Sequence, residues 1–159
     1  MLRLRPFGIF ISLKHMADSA AFRMVLFRLG PVVWAAPASV VREVIAAGPA
    51  TRIPGSHLAV AGLVNLRGTL LTVVDGRRAV GLADTESEPG SILVVEQAGR
   101  AYGLSVDEVL DLVDVPSGGL SSGPAPAGAD PRLVRGVGRQ AGRSFAVLDT
   151  EALLAPVLG

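Results

Sequence analysis

The sequence predicts a mainly β protein made of two similar small β-barrels packed together, with short helices. Three observations support this fold class. From Phe22 onward, short apolar runs alternate with glycine-containing turns, which is typical of strands. Few segments show the apolar period of a long helix. The order of elements in the first half of the chain also recurs in the second half.

Three hairpins are expected, each formed by two apolar runs that flank a glycine-containing turn. The runs and turns are Met24–Leu29 with Val32–Ala35 around Gly30-Pro31, Ala61–Leu66 with Thr69–Val74 around Arg67-Gly68, and Ile92–Glu96 with Ala101–Val106 around Gly99-Arg100. The length and apolar character of these runs predict strands that can be buried.

Two short helices and one long loop complete the predicted elements. A helix is expected from Pro37 to Ile45, because proline suits the first helical position. A second helix is expected from Asp149 to Leu154, where Asp149 or Thr150 can cap the exposed amide groups. The segment Pro116–Pro131 is rich in glycine, serine and proline, so we expect an exposed loop.

The internal repeat has a period of roughly 70 residues, which is too long for a solenoid. Met24–Val44 and Ile92–Val113 both have the order strand, glycine turn, strand and mixed segment. Gly62–Leu82 and Gly136–Leu154 both have an apolar run, a basic turn and a strand that ends in aspartate. The repeat therefore predicts two related β units, and packing them together would remove most exposed sheet edges.

Composition excludes several function classes. The 159 residues include 15 basic and 14 acidic residues, and half of them are hydrophobic. This charge balance argues against a nucleic-acid partner, and the apolar half is enough for a packed core. Since the chain contains no cysteine, it cannot form a disulfide or a thiolate metal site.

Residues 1–21 are predicted to be a leader outside the fold, or to precede the true start. An apolar run, Phe7–Leu13, follows two arginines there, but Pro6 and Gly8 interrupt it. The run is also much shorter than the roughly 20 apolar residues that span a bilayer. We therefore expect one domain over residues 22–158, made of two intertwined β-barrel subdomains.

Catalytic and metal sites find little support in the residue pattern. Asp75 and Asp149 end related strands, as the two carboxylates of an aspartic protease do, but neither is followed by the Asp-Thr/Ser-Gly turn of that class. We interpret both as helix caps or turn formers. His15 and His57 lack metal-ligand spacing. The acids Asp107, Glu108, Asp111 and Asp114 match no calcium loop and are interpreted as the solvated face of a half-buried segment.

The stretch Val60–Asp75 carries the most specific motif. Asn65 and Gly68 suit the first and last positions of a tight turn, which would raise Arg67 at its tip. The stretch resembles the Gly-x-x-Asn-Leu-Arg-Gly-x-x-x-x-x-Val-Asp signature of the CheW-like family. Upstream, Val41–Ile45 and Thr51–Pro54 resemble its Val-x-Glu-Ile and Arg-Ile-Pro segments. The resemblance extends from about Phe22 to Leu158.

The resemblance implies two five-stranded SH3-like barrels side by side and a non-catalytic adaptor that needs no cofactor. The implied partners are the regulatory domain of a chemotaxis histidine kinase and the cytoplasmic tip of a methyl-accepting chemotaxis receptor. The implied location is cytoplasmic, at receptor arrays by association and without membrane insertion. By position in the family motifs, the partner-binding residues are Val41, Glu43, Gly62, Asn65 and Arg67.

Structural roles stay open for several of these residues. Val41 can belong to the core, Gly62 can permit close backbone approach, and Glu43 with Arg67 can form an internal brace. Two other function classes also remain as alternatives on the residues alone. They are a free-standing ligand-binding sensor and a two-lobed aspartyl hydrolase.

Overall fold

The computed structural model describes residues 22–82, 88–116 and 118–158. The leader predicted for residues 1–21 lies outside this range. The described residues form ten strands, two α-helices and one 3-10 turn. These are β1 Phe22–Leu29, β2 Val32–Pro37, β3 Val41–Ala46, β4 Val60–Leu66, β5 Thr69–Asp75, α1 Gly76–Ala79, β6 Ser91–Gln97, β7 Arg100–Val106, β8 Glu108–Val115, the 3-10 turn Pro131–Leu133, β9 Val134–Gln140, β10 Arg143–Leu148 and α2 Thr150–Leu158.

The three predicted hairpins are present, and a fourth joins β9 to β10. Three of the four turns share one backbone conformation. Arg67, Ala98 and Ala141 each have φ of 51°, and the glycine that follows each also has a positive φ. Two successive positive φ values are typical of the type I′ turn, whose twist matches that of the flanking strands. The β6–β7 turn is Ala98-Gly99, one residue earlier than predicted.

The helix predicted from Pro37 to Ile45 is absent. Pro37 ends β2, and a turn follows in which the Val40 amide donates to the Pro37 carbonyl oxygen over 3.0 Å. The chain then forms β3, which pairs with β6 from Val41 opposite Val95 to Ala46 opposite Ser91. Three of the six β3 residues are β-branched, which favours a strand once a partner strand is available.

The helix predicted at Asp149 is confirmed and extends to Leu158. The Asp149 carboxylate accepts a hydrogen bond from the Ala152 amide over 3.0 Å. The short helix α1 was not predicted, but its cap was. The Asp75 carboxylate accepts hydrogen bonds from the amides of Arg77 and Arg78 over 3.0 and 3.3 Å. Both aspartates therefore cap helices, as interpreted from the sequence.

The strands form two five-stranded sheets of identical topology. The first sheet has the order β8-β1-β2-β10-β9, and the second has the order β3-β6-β7-β5-β4. The pairs β2–β10 and β5–β7 are parallel, and the other pairs are antiparallel. The identical order agrees with the sequence repeat. Each sheet combines strands from both halves of the repeat, because β1 and β2 share a sheet with β8, β9 and β10, while β3, β4 and β5 share a sheet with β6 and β7.

One hydrophobic core is shared by both sheets, and a second lies within the first sheet. The shared core includes Phe27 and Trp34 of the first sheet and Leu93 and Leu104 of the second. The other core contains Met24, Leu26, Ala35, Val113, Val115, Phe145 and Val147. Burial of a large apolar side chain stabilises the fold by about 1.5 to 3 kcal/mol, so the shared core joins the two sheets strongly.

A buried acid lies where the chain crosses from the second sheet to the first. Asp107 is the single residue between β7 and β8. Its side chain is 4 % exposed, forms an ion pair with Arg77 and accepts hydrogen bonds from the Gly30 amide over 2.7 Å and from Arg28 over 3.3 Å. Asp111 is also buried. The prediction of a solvated acidic face is therefore wrong for these two residues, while Glu108 and Asp114 are exposed.

Two outer edges of the sheets are each blocked by one residue from a loop. Thr51 exchanges backbone hydrogen bonds of 2.9 and 2.8 Å with Leu63 on β4. Ser121 exchanges two bonds of 2.9 Å with Val137 on β9. Ser121 belongs to the loop that was predicted to be exposed, and most of its residues are exposed. These bridges limit the pairing of β4 and β9 with strands of other chains.

Candidate functional site

The five predicted site residues lie on two strands and the turn that follows one of them. Val41 and Glu43 lie in β3, Gly62 and Asn65 lie in β4, and Arg67 lies in the β4–β5 turn. Arg67 and Gly68 are the two turn residues, with φ of 51° and 83°. The Asn65 side-chain oxygen accepts a hydrogen bond from the Gly68 amide over 2.8 Å. The sequence predicted a turn from Asn65 to Gly68, whose central residues would be Leu66 and Arg67. In the structure the central residues are Arg67 and Gly68, and Leu66 pairs with Thr69. Asn65 stabilises the turn and presents Arg67 at its tip.

Glu43 and Arg67 are in direct contact. An Nη2 hydrogen of Arg67 is donated to Glu43 Oε1 over 2.7 Å. Glu43 is only 6 % exposed, whereas the Arg67 side chain is 55 % exposed. The interpretation of an internal brace is therefore correct in geometry, while Glu43 is not the exposed charge that a partner could contact directly. The buried carboxylate instead fixes the position of a guanidinium that reaches the surface.

A groove with a volume of about 480 Å³ surrounds this ion pair. Leu66, Leu71 and Val94 contribute apolar surface to it. A second, looser ion pair, Arg42 with Glu96 at 3.8 Å, lies in the same lining. The groove therefore combines apolar surface with charges of both signs. This combination is typical of surfaces that recognise another protein through charge complementarity.

Val41 and Gly62 are buried, and the structure gives each a structural role. Val41 is 1 % exposed and belongs to the core shared by the sheets. Gly62 has φ of 148°, and a Cβ atom there would lie 2.3 Å from the carbonyl oxygen of Thr51. A side chain is therefore excluded at Gly62 by the segment that crosses β4. Any influence of these two residues on a partner would be indirect.

A second groove, with a volume of about 610 Å³, was not predicted from the sequence. Its lining includes Ile53, Leu70, Tyr102 and Val157, together with His57 and Arg100. Leu70 is 66 % exposed, which is unusual for a large apolar residue within a strand. The sequence placed Leu70 in a strand but did not show which face it occupies. The apolar run Leu70–Leu71 carries no alternation that could reveal it.

Asp75, Asp149 and His57 each accept hydrogen bonds from nearby backbone amides. Asp75 and Asp149 accept hydrogen bonds from helix amides at the ends of strands in different sheets. His57 Nδ1 accepts a hydrogen bond from the Ala59 amide over 3.0 Å. Within residues 22–82, 88–116 and 118–158, no three histidine or acidic side chains are grouped to hold a metal ion. None of the helices in these ranges is long and apolar enough to span a bilayer.

Comparison with known proteins relates this chain to chemotaxis proteins. It is 29 % identical over 142 residues to Chemotaxis protein CheW of Rhizobium meliloti, which covers 88 % of this chain and 91 % of the relative. It is 25 % identical over 134 residues to Chemotaxis protein CheW of Bacillus subtilis, covering 83 % of this chain and 86 % of the relative. It is 36 % identical to Protein PilI of Pseudomonas aeruginosa over 94 residues, 57 % of this chain and 51 % of the relative.

The fold has a counterpart among solved structures. The crystal structure of scaffolding protein TtCheW from Thermoanaerobacter tengcongensis matches with a TM-score of 0.73 and 24 % identity, covering 81 % of this chain and 89 % of that chain. The predicted fold of two five-stranded SH3-like barrels is thereby confirmed. A model of the CheW-like domain matches residues 23–157, almost the whole described chain. The protein therefore belongs to the CheW-like domain family.

Proposed function

We propose that this protein is a non-catalytic adaptor that couples methyl-accepting chemotaxis receptors to a chemotaxis histidine kinase. Its membership of the CheW-like family and its relatives among chemotaxis proteins support a role in chemotaxis signalling. The proposed partners are the regulatory domain of the kinase and the cytoplasmic tip of the receptor. The proposed location is the cytoplasm, at receptor arrays, where the adaptor is held by its partners.

The observation that carries this proposal is the Arg67 guanidinium, which Glu43 fixes beside an open groove. A long side chain normally loses rotamer entropy when it binds a partner. Here the ion pair and the tight turn restrict Arg67 before binding, so less entropy is lost on association. A fixed charge at the surface contributes to the choice and orientation of a partner, because complementary charges across an interface set specificity and register.

An adaptor also needs a second surface for its second partner, and the groove at Leu70 offers one. Leu70 and Leu71 are adjacent in β5 and point to opposite faces of the strand. Leu71 is buried and lines both grooves, whereas Leu70 lines only the second. The groove at Arg67 and the groove at Leu70 therefore present different side chains to two partners.

The test replaces Arg67 with asparagine, which removes the guanidinium but is well suited to a positive φ. We expect the melting temperature to fall by several degrees although the turn is kept, because the buried Glu43 carboxylate loses the cation it pairs with, so binding is measured well below the unfolding transition. Binding to the kinase regulatory domain or the receptor tip should fall at least about tenfold, as for loss of one member of an interfacial charge pair. Isothermal titration with both purified partners measures this effect.

Ala98→Asn is the matched control, since Ala98 has the same φ of 51° in the β6–β7 turn. It should leave both affinities unchanged. Leu70→Ser should weaken binding to one partner while leaving the Arg67-dependent interaction intact. If Arg67→Asn and Leu70→Ser both bind the two partners with wild-type affinity, neither groove is a coupling surface and the proposal fails.

A further inference from the structure

The identical topology of the two sheets allows residues to be matched between them. In the first sheet Phe27 is opposite Trp34, and in the second Val95 is opposite Tyr102. One residue earlier in each strand, Leu26 pairs with Asp111 on β8 and Val94 pairs with Glu43 on β3. Asp111 therefore occupies in the first sheet the position that Glu43 occupies in the second. Both acids are buried, at 9 % and 6 % exposure.

The residue that matches Arg67 is Ala141. Arg67 is the first residue of the β4–β5 turn, and Ala141 is the first residue of the β9–β10 turn. Both have φ of 51° and both precede a glycine with positive φ. The first sheet thus has the buried acid of the Glu43–Arg67 pair but has alanine where the arginine would be.

Asp111 has few interactions for a buried carboxylate. Its Oδ1 accepts a hydrogen bond from the Leu112 amide over 2.8 Å. In the part of the chain that the structure describes, no arginine or lysine pairs with it. The other two acids of β8 are each paired with an arginine of β1, Glu108 with Arg28 at 3.7 Å and Asp114 with Arg23 at 2.7 Å. Asp111 is the exception among the described acids of this strand.

The second carboxylate oxygen of Asp111 is not completely buried. Across residues 22–82, 88–116 and 118–158, the only fully buried side-chain nitrogen or oxygen atom without a hydrogen bond is Trp34 Nε1. Since Oδ2 of Asp111 accepts no hydrogen bond from these residues, it cannot be fully buried. A largely desolvated carboxylate with one oxygen that is not completely buried gains strongly from a cation that approaches from outside.

We propose that Asp111 and the β9–β10 turn form a docking site for an arginine side chain of a partner protein. The partner's arginine would pair with Asp111 in the same way that Arg67 pairs with Glu43 within this chain. Arginine fits better than a small cation, because the matching pair is formed by a guanidinium held on a projecting turn. The identity of the partner rests on the proposed function, in which the kinase regulatory domain and the receptor tip bind this adaptor.

The first experiment compares Asp111→Asn with Asp114→Asn. Asparagine keeps a side-chain oxygen for the Leu112 amide, so the fold should be retained. We expect Asp111→Asn to weaken binding to one of the two partners at least about tenfold, because the partner's arginine would lose its anion. Asp114→Asn, on the same strand but exposed and already paired with Arg23, should bind both partners normally.

The second experiment supplies the missing arginine within the chain. Ala141→Arg should place a guanidinium at Asp111 and block the site, so binding to the same partner should fall at least about tenfold. It should also raise the melting temperature by about 3 °C relative to Ala98→Arg, whose turn has the same φ and the same strain. This gain should shrink in high salt and disappear when Asp111→Asn is combined with Ala141→Arg.

The outcomes separate this inference from the proposed function. If the wild-type protein binds a partner and both Asp111→Asn and Ala141→Arg bind it equally well, the docking site is refuted and the adaptor role stands. If the wild-type protein binds neither partner, the adaptor role fails, and the melting experiment decides whether Asp111 accepts a guanidinium. Equal melting temperatures of Ala141→Arg and Ala98→Arg in that case would refute the site as well.

Discussion

At the scale of single residues, Gly62 shows how a motif glycine can be required by the backbone alone. Its φ of 148° is one that side chains rarely adopt, and a Cβ atom would lie 2.3 Å from the Thr51 oxygen and 2.7 Å from the Thr51 carbonyl carbon. The same Thr51 pairs with Leu63 through two backbone hydrogen bonds. Gly62 therefore lets a loop cross β4 and block its edge, and its position in the family motif needs no direct partner contact.

Gly62→Ala is expected to destabilise the protein by about 2 to 4 kcal/mol, because a clash with backbone cannot be relieved by a rotamer change. The matched control is Gly136→Ala in β9. Gly136 occupies the corresponding position, but a Cβ atom there would be 3.5 Å from its nearest neighbour, the Ser121 oxygen. The control should change stability by less than about 1 kcal/mol. Urea denaturation of both variants measures the difference, and equal effects would contradict the steric argument.

At the scale of elements, the crossing from β7 to β8 depends on one acid. Asp107 contacts Arg77 of α1 beside the second sheet, and it also contacts the Gly30 amide and Arg28 of the first sheet. The Arg77 side chain is 14 % exposed and that of Asp107 is 4 % exposed. This network ties together two hairpins and a helix at the point where the chain changes sheets.

Asp107→Asn is expected to destabilise the fold by about 3 to 5 kcal/mol, because it removes the charge that pairs with Arg77 and that accepts the buried hydrogen bonds from Gly30 and Arg28. Asp114→Asn breaks an ion pair with Arg23 in which the Asp114 side chain is 53 % exposed. That control should cost less than about 1 kcal/mol. Thermal and urea unfolding provide the comparison, and a small effect of Asp107→Asn would show that the network is dispensable.

The sequence predicted elements well where the signal was local. Turn chemistry located three hairpins, and Asp149 marked the start of α2. The segment after Pro37 was wrongly predicted as a helix, because its strand conformation depends on pairing with β6, a distant part of the chain. The burial of Glu43 could not be predicted either. A register shift between Val41 and Glu43 changes which face the side chain occupies, and sequence alternation does not reveal such a shift.

At the scale of the whole molecule, the division of each half of the chain between both sheets makes each half dependent on the other. The first sheet needs β8 beside β1, and the second needs β3 beside β6. The core that contains Phe27 and Trp34 also contains Leu93 and Leu104. Each half of the sequence repeat contains five strands. Neither half forms a complete sheet or a complete core without the other.

Fragments covering residues 22–82 and 88–158 should each lack a cooperative thermal transition when studied alone. Mixed in equal amounts, they should recover cooperative unfolding, because the strand pairs between the two halves and the shared core can form again between the chains. Circular dichroism melting of the separate and mixed fragments tests this expectation. A cooperative transition in either isolated fragment would show that strand pairing between the two halves is not required for folding.

The domain boundary proposed at residue 22 has a separate test. If the domain comprises residues 22–158, a chain that starts at Met16 should unfold at the same temperature as the full chain within about 1 °C, because removal of residues outside the fold costs little. Differential scanning calorimetry of both chains provides the measurement. A decrease of several degrees would show that residues before Met16 contribute to the folded core.

The pairing of β1 with β8 also has a consequence during synthesis on the ribosome. Arg23 and Asp114, which face each other across this pair, are 91 residues apart in the chain. At about 5 to 20 residues per second, the ribosome takes roughly 5 to 18 s to make the strand that pairs with the outer edge of β1. The nascent β1–β2 hairpin must wait that long with an unpaired edge. Folding should therefore be slow and governed by this long-range contact, and chaperones that shield exposed strands should improve its yield.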